Sequence, residues 1–125
     1  VPTTAYVGTQ ESTTSTSYTD LATTGPSVAV TTGTIAIVSF AASQSNITAD
    51  SACLSSVGVS GASSVLPSDT WSILTDGVAA GNFVRYGMTH VFTGLTPGTN
   101  TFTMKYRAGS STARFQYREI SVIPL

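Results

Sequence analysis

GLTPGTNTFTMKYRAGSSTARFQYREISVIPL, residues 94–125, decides the fold class. Its opening Leu95-Thr96-Pro97-Gly98 reads as a turn, because Pro fixes φ and Gly tolerates a positive φ. Beyond it Phe102, Met104 and Tyr106 recur at every second position, with Thr103, Lys105 and Arg107 between them. A period of two is a strand with one apolar and one polar face. The small and polar Ala108–Thr112 then makes a loop to a second strand. There Phe115 and Tyr117 share one phase while Ile120 and Val122 belong to the other. A strand that changes phase either carries a bulge, expected here near Glu119, or has both faces covered by a second layer or a neighbouring subunit.

The same period extends outward through the chain. FVRYGMTHVF (83–92) places Val84, Tyr86, Met88, His90 and Phe92 on one face. IAIVSFAA (35–42) is the most apolar run, well short of the ~20 residues a bilayer crossing needs, and fits a central strand over 34–41. CLSSVGVS (53–60), TWSIL (70–74) and SVAV (27–30) add further strands, separated by turn signals at Gly25-Pro26, Thr32-Gly33 and Asp76-Gly77. ASQSNITADSA (42–52) reads as a polar loop, and residues 1–11 as an N-terminal arm or linker ahead of a single domain over 12–125. No stretch carries a helical apolar stripe of useful length. About eight strands without crossover helices predict an all-β antiparallel sandwich or closed barrel.

Composition narrows the function. The 125 residues suffice for one domain with a real core. Only 9% are charged, against about 25% in ordinary soluble domains, so Ser, Thr, Asn and Gly must cover most of the surface. Such a surface repels its own copies weakly and favours self-association. The single Cys53 allows no internal disulfide and reads as a small buried hydrophobe. The one imidazole, His90, lies in phase with Met88 and Phe92, which makes it a core or interface residue rather than a catalytic base. No Ser sits in a nucleophile elbow. Asp20, Asp50, Asp69 and Asp76 are scattered without calcium-loop spacing, and most fall in turns, where an Asp side chain commonly bonds its own backbone. Neither a phosphate-binding loop nor a dinucleotide fingerprint is present, so no catalytic residue, metal or cofactor is assigned. Asn46-Ile47-Thr48 matches the glycosylation acceptor pattern, a motif that chance supplies readily in a Thr-rich chain.

All five basic residues, Arg85, Lys105, Arg107, Arg114 and Arg118, fall in the last third, while charged residues up to position 84 are all acidic. A nucleic-acid surface would interleave such a stripe with exposed aromatics. Here the aromatics of the 101–107 strand alternate away from Lys105 and Arg107, and the net charge is -1. The basic residues, with Phe115 and Tyr117, are therefore candidate contact or interface residues toward a glycan, an acidic partner or another subunit, with no nucleic acid and no membrane insertion.

Two stretches, TTSTSYTDLATTGPSVAV (13–30) and LTPGTNTFTMKYRAGSSTARFQYREISVIPL (95–125), resemble modules of tailed-bacteriophage virion proteins, including C-terminal domains of minor tail proteins and capsid decoration proteins. The pattern is Tyr-x-Asp-Leu, Gly-Pro-Ser-Val, Leu-Thr-Pro-Gly and a closing Val-Ile-Pro-Leu. The resemblance implies a non-enzymatic, jelly-roll-like module on a particle surface, extracellular once released. It further implies a homotrimer that meets other virion proteins and a host-surface glycan or protein. On that basis the chain is expected at a tail or fibre tip, or as a capsid decoration protein. A fibronectin-like sandwich is the alternative fold, suggested by the Gly94–Gly98 turn, although Trp71 comes too late for that fold's core tryptophan. A carbohydrate-binding module of a secreted protein is the alternative function, with Trp71 and Tyr86 as its aromatics, even though alternation points Tyr86 inward.

Overall fold

The computed structural model describes residues 2–125. Its strands are β1 Thr3–Val7, β2 Glu11–Thr13, β3 Ser27–Thr32, β4 Ala36–Asn46, β5 Cys53–Gly61, β6 Ser72–Thr75, β7 Val84–Phe92, β8 Gly98–Ala108 and β9 Ala113–Pro124. A single 3-10 turn, Asp69–Trp71, precedes β6. One sheet runs β1-β9-β4-β7, with β2 also paired to β9, and the other runs β3-β8-β5-β6. Every pairing is antiparallel, and with β2 taken as a continuation of β1 the pairs nest. β1 meets β9, β3 meets β8, β4 meets β7, and β5 meets β6. Eight strands rolled so that the first pairs with the last form a jelly roll, and the fibronectin-like alternative is excluded.

Alternation places the core as the sequence indicates. Phe102, Met104 and Tyr106 from β8 meet Phe40 from β4 and Phe115, Ile120 and Val122 from β9, all fully or nearly buried. Burying side chains of this size stabilises by about 1.5–3 kcal/mol each. The phase change in β9 is a bulge. Ala41 pairs with Glu119 and Ser43 with Gln116, so Tyr117 and Arg118 together oppose Ala42. Tyr117 takes φ 50°, and the extra residue turns Arg118, Ile120 and Val122 onto the face that Phe115 occupies. Glu119 and Ile123 remain exposed on the other face, so no second layer is needed to explain the pattern.

Three expectations give way. Residues 3–7 and 11–13, read as part of an arm and the start of the domain, are hydrogen-bonded along β9 from Thr3↔Val122 to Thr13↔Ala113. They lack periodicity because they form a sheet edge where only Ala5 packs on the core. Residues 42–46, read as loop, continue β4 with Ser43, Gln44, Ser45 and Asn46 buried. Hydrogen bonds permit that burial. Gln44 Nε2 donates to Thr75 Oγ1 at 3.0 Å and to the Cys53 carbonyl at 3.1 Å, and Gln44 Oε1 accepts from Ser55 Oγ. Tyr86 pairs with Ala42 but is 58% exposed, because β7 is the last strand of its sheet and the open rim lies beside it.

β5 is covered on both faces. The segment after it folds back so that Val59 and Val65 exchange backbone hydrogen bonds of 2.9 Å, and a Cβ on Gly58 would lie 3.1 Å from Pro67. Trp71 then closes the rim: its Nε1 donates to the Val57 carbonyl at 2.9 Å, and its ring stacks on His90 at 4.7 Å.

Candidate binding face on the five-stranded sheet

Three of the five late basic residues find earlier acids. Arg118, 0% exposed, donates to Glu11 Oε1 at 2.7 Å and to the Gly25 carbonyl at 3.2 Å, with its guanidinium 5.2 Å from the Tyr106 ring centre. Lys105 meets Asp20 at 2.6 Å. Arg107 grips both oxygens of Asp69, at 3.1 and 2.6 Å, while the Tyr18 hydroxyl donates to the same carboxylate at 2.6 Å. Arg85 lies 3.5 Å from Glu119. Arg114 instead donates to Ser45 Oγ at 2.8 Å and the Gly81 carbonyl at 3.2 Å, beneath Phe83.

These five residues, with Phe115 and Tyr117, therefore do not assemble into one surface. Phe115 is core, 4.8 Å from the Tyr106 ring, and the bulge carries Arg118 inside with it. Tyr117 stays 45% exposed, with the Arg85 guanidinium 5.9 Å from its ring centre. His90 is held at the rim against Trp71, and burial pushes its pKa below the ordinary value. Cys53 is buried, which raises its thiol pKa. Asn46 is also buried, its amide donating to the Ser110 carbonyl at 2.9 Å, so the folded chain does not present it as a glycan acceptor. Among the described residues no three His, Cys, Asp or Glu side chains are grouped to hold a metal ion.

A more coherent surface lies on the outer face of the β1-β9-β4-β7 sheet. Strand register writes it in rows. Thr4, Ser121, Ser39 and Thr89 form a row of hydroxyls, and Tyr6, Glu119, Ala41 and Gly87 form the next. On the far side of the hydroxyls lies an apolar row of Ile123, Ile37 and Val91. Because Ala41 and Gly87 are so small, a depression of about 300 Å³ opens over them, edged by Ser39, Thr89, Glu119 and Ser121. A second depression of about 350 Å³ adjoins it toward Thr4 and Tyr6, sharing Glu119 and Ser121. Ser39 and Thr89 hydroxyls lie 2.8 Å apart, and Tyr6 is 58% exposed. None of these residues except Glu119 and Tyr6 carries a charge or an aromatic ring. Their signal was in the out-of-phase positions of β4 and β7, which are unusually small or hydroxylated.

The fold defines a class, the jelly-roll β-sandwich. No protein-family model and no curated protein matches the chain. Solved structures of infectious bursal disease virus do match. The VP2 subviral particle shares 13% identity at a TM-score of 0.63, over 97% of this chain and 32% of that one. The T=1 particles derived from the same virus share 11% at 0.64, over 97% and 31%. The structure of the Gt strain shares 10% at 0.61, again over 97% and 31%. The chain thus spans about a third of the length of the proteins it matches, and the likeness is one of fold. It also corrects the resemblance to tailed-phage modules. The matched structures come from a virus that is not a tailed phage, so the tail-tip, minor-tail-protein and tail-fibre expectations are withdrawn. The Thr- and Ser-rich opening and the Leu-Thr-Pro-Gly turn that suggested them are turn and strand chemistry that any β-sandwich uses.

Proposed function

We propose that this chain is a non-enzymatic structural module of a virus particle, a jelly-roll coat or capsid-surface unit that works by packing against copies of itself and other particle proteins. The observation that carries this reading is the coverage: 97% of the chain superposes on a protein whose structure was solved as a subviral particle. Two features of the chain support it. At 9% charged residues its copies repel one another weakly. Ile123, Ile37 and Val91, with Ile35 and Leu125 nearby in sequence, make one end of the outer sheet face apolar, and Ile35, Val91, Ile123 and Leu125 are all exposed. Exposed apolar clusters of this kind mark interaction surfaces.

The finer reading is a homotrimer joined through that apolar end. Light scattering over a concentration series, followed by negative-stain microscopy, tests it. The expected result is a trimer or larger closed assembly that Val91→Glu and Ile123→Glu each dissociate while the far-ultraviolet dichroism stays unchanged. A wild-type chain that remains strictly monomeric into the millimolar range overturns the self-assembling reading.

A further inference from the structure

We propose that the depression over Ala41 and Gly87 is a carbohydrate-binding site, taking one or two neutral sugar rings of a glycan chain. A sugar ring offers an apolar C–H face and a rim of hydroxyls that both donate and accept. The site offers the counterpart of each. Ala41 and the bare backbone at Gly87 form a flat floor, where a Cβ on Gly87 would come no closer than 3.5 Å to any neighbour. Around it stand Ser39, Thr89 and Ser121, whose hydroxyls donate or accept as the ligand requires. The Glu119 carboxylate is an acceptor for sugar hydroxyls and the Arg85 guanidinium a donor to them. The pair is loose at 3.5 Å, and both side chains are about half exposed, so a vicinal diol can enter between them at little loss. Tyr6, across from Glu119 in the register, and Tyr117, beside Arg85, supply exposed aromatic surface at the margin.

The same lining disfavours other occupants. Glu119, which borders both depressions, repels a phosphate or sulfate. A lone carboxylate is too little for a divalent cation. An apolar peptide would bury the serine and threonine hydroxyls without partners, which costs binding energy at each one. Volumes of about 300 and 350 Å³ fall at the lower end of small-ligand sites, and so shallow a site gives millimolar rather than micromolar affinity. The groove does not depend on assembly, and a monomer carries it equally.

Amide-resolved nuclear magnetic resonance with four probes, the methyl glycosides of β-galactose, β-glucose, α-mannose and β-N-acetylglucosamine, tests the proposal. The expected result is saturable shift changes at Ala41, Gly87, Thr89 and Ser121 with at least one probe. A Cβ at position 87 meets its neighbours at ordinary contact distance, so Gly87→Ala stays folded. Gly87→Val extends further over the floor and abolishes the changes, its amide spectrum checking that the fold is kept. Glu119→Gln weakens binding about tenfold, the effect of losing a charged hydrogen bond. If none of the probes shifts these amides, or if Gly87→Val binds as wild type does, the proposal is overturned. Shifts at the same residues that follow protein concentration without sugar identify a second copy as the occupant and overturn it as well.

Discussion

Arg118 is a full guanidinium inside the sandwich, and its tolerance there rests on few atoms. Glu11 neutralises it, the Gly25 carbonyl accepts from it, and the Tyr106 ring lies under it. The Tyr106 hydroxyl donates to the same Gly25 carbonyl at 2.8 Å, so one backbone oxygen organises both side chains. Arg118 Nε is buried without a hydrogen-bond partner, which shows that the charge is only partly compensated. Removing one member leaves the other stranded. Glu11→Ala should destabilise the fold by about 3 kcal/mol, the scale for breaking a buried pair. The double replacement Glu11→Leu with Arg118→Met should lose clearly less, since no buried charge is then left alone. Urea denaturation of the three proteins measures both; equal losses would mean that the pair's packing matters and its charge does not.

At the scale of the element, the bulge in β9 is the feature on which the rest turns. Without the extra residue the alternation that buries Phe115 would aim Arg118, Ile120 and Val122 at solvent, because a strand's side chains change face at every step. Tyr117 takes this position at φ 50°, a left-handed backbone that costs an L-residue roughly 1–2 kcal/mol. Tyr117→Gly should therefore stay within about 1 kcal/mol of wild type, the lost ring contacts offset by relief of strain. Tyr117→Val should be worse than Gly by about 1 kcal/mol or more, since β-branching is least compatible with a positive φ. Thermal unfolding of both variants decides it, and a Val variant as stable as the Gly variant would show that the bulge exacts no backbone strain. The buried polar end of β4 is the other departure from simple alternation, held by Gln44 and Asn46 rather than by apolar packing.

Across the whole molecule the nested pairing explains the lopsided charge. Rolling the chain brings its early strands and loops against its late ones, so Glu11 reaches Arg118, Asp20 reaches Lys105, and Asp69 reaches Arg107. Three of the five late bases thus become partners of earlier acids, while Arg85 meets the late Glu119 and Arg114 meets Ser45 and the Gly81 carbonyl. The pairs also set the response to acid. Burial alone would raise the Glu11 pKa, but the Thr23 hydroxyl and amide, with Arg118, outweigh it and hold the carboxyl below its usual range. Arg107 and Tyr18 lower that of Asp69. A carboxylate depressed in the folded state contributes stability that is present above its unfolded pKa, near pH 4, and is lost as pH falls through the lower folded value. The lowered His90 pKa adds a small decline as pH falls below about 6.5, because the unfolded imidazole takes up its proton first. The carboxylates add a second decline below about pH 4, less steep in Glu11→Gln. Denaturation midpoints across that range check it; a His90→Gln variant that still declines between about pH 6.5 and 5 would implicate other groups.

Alternation in 101–107 pointed to the fold class from the sequence, because side-chain direction in a strand is a local property. The phase change in 113–122 allowed a bulge or a strand covered on both faces, and the register against β4 decided for the bulge. The half-buried place of His90 at the rim followed from phase in the same way, and the burial of Cys53 from its residue type. Partnership was not legible. Which strand neighbours which depends on sequence-distant pairing, and that pairing decided that residues 3–13 are sheet and not arm, that Gln44 is core and not loop, and that Arg118 answers Glu11. The outer groove is likewise invisible until β1, β9, β4 and β7 lie side by side. A row of small and hydroxylated residues becomes a surface only when four separate strands each contribute one member, and backbone hydrogen bonding across the sheet fixes that register.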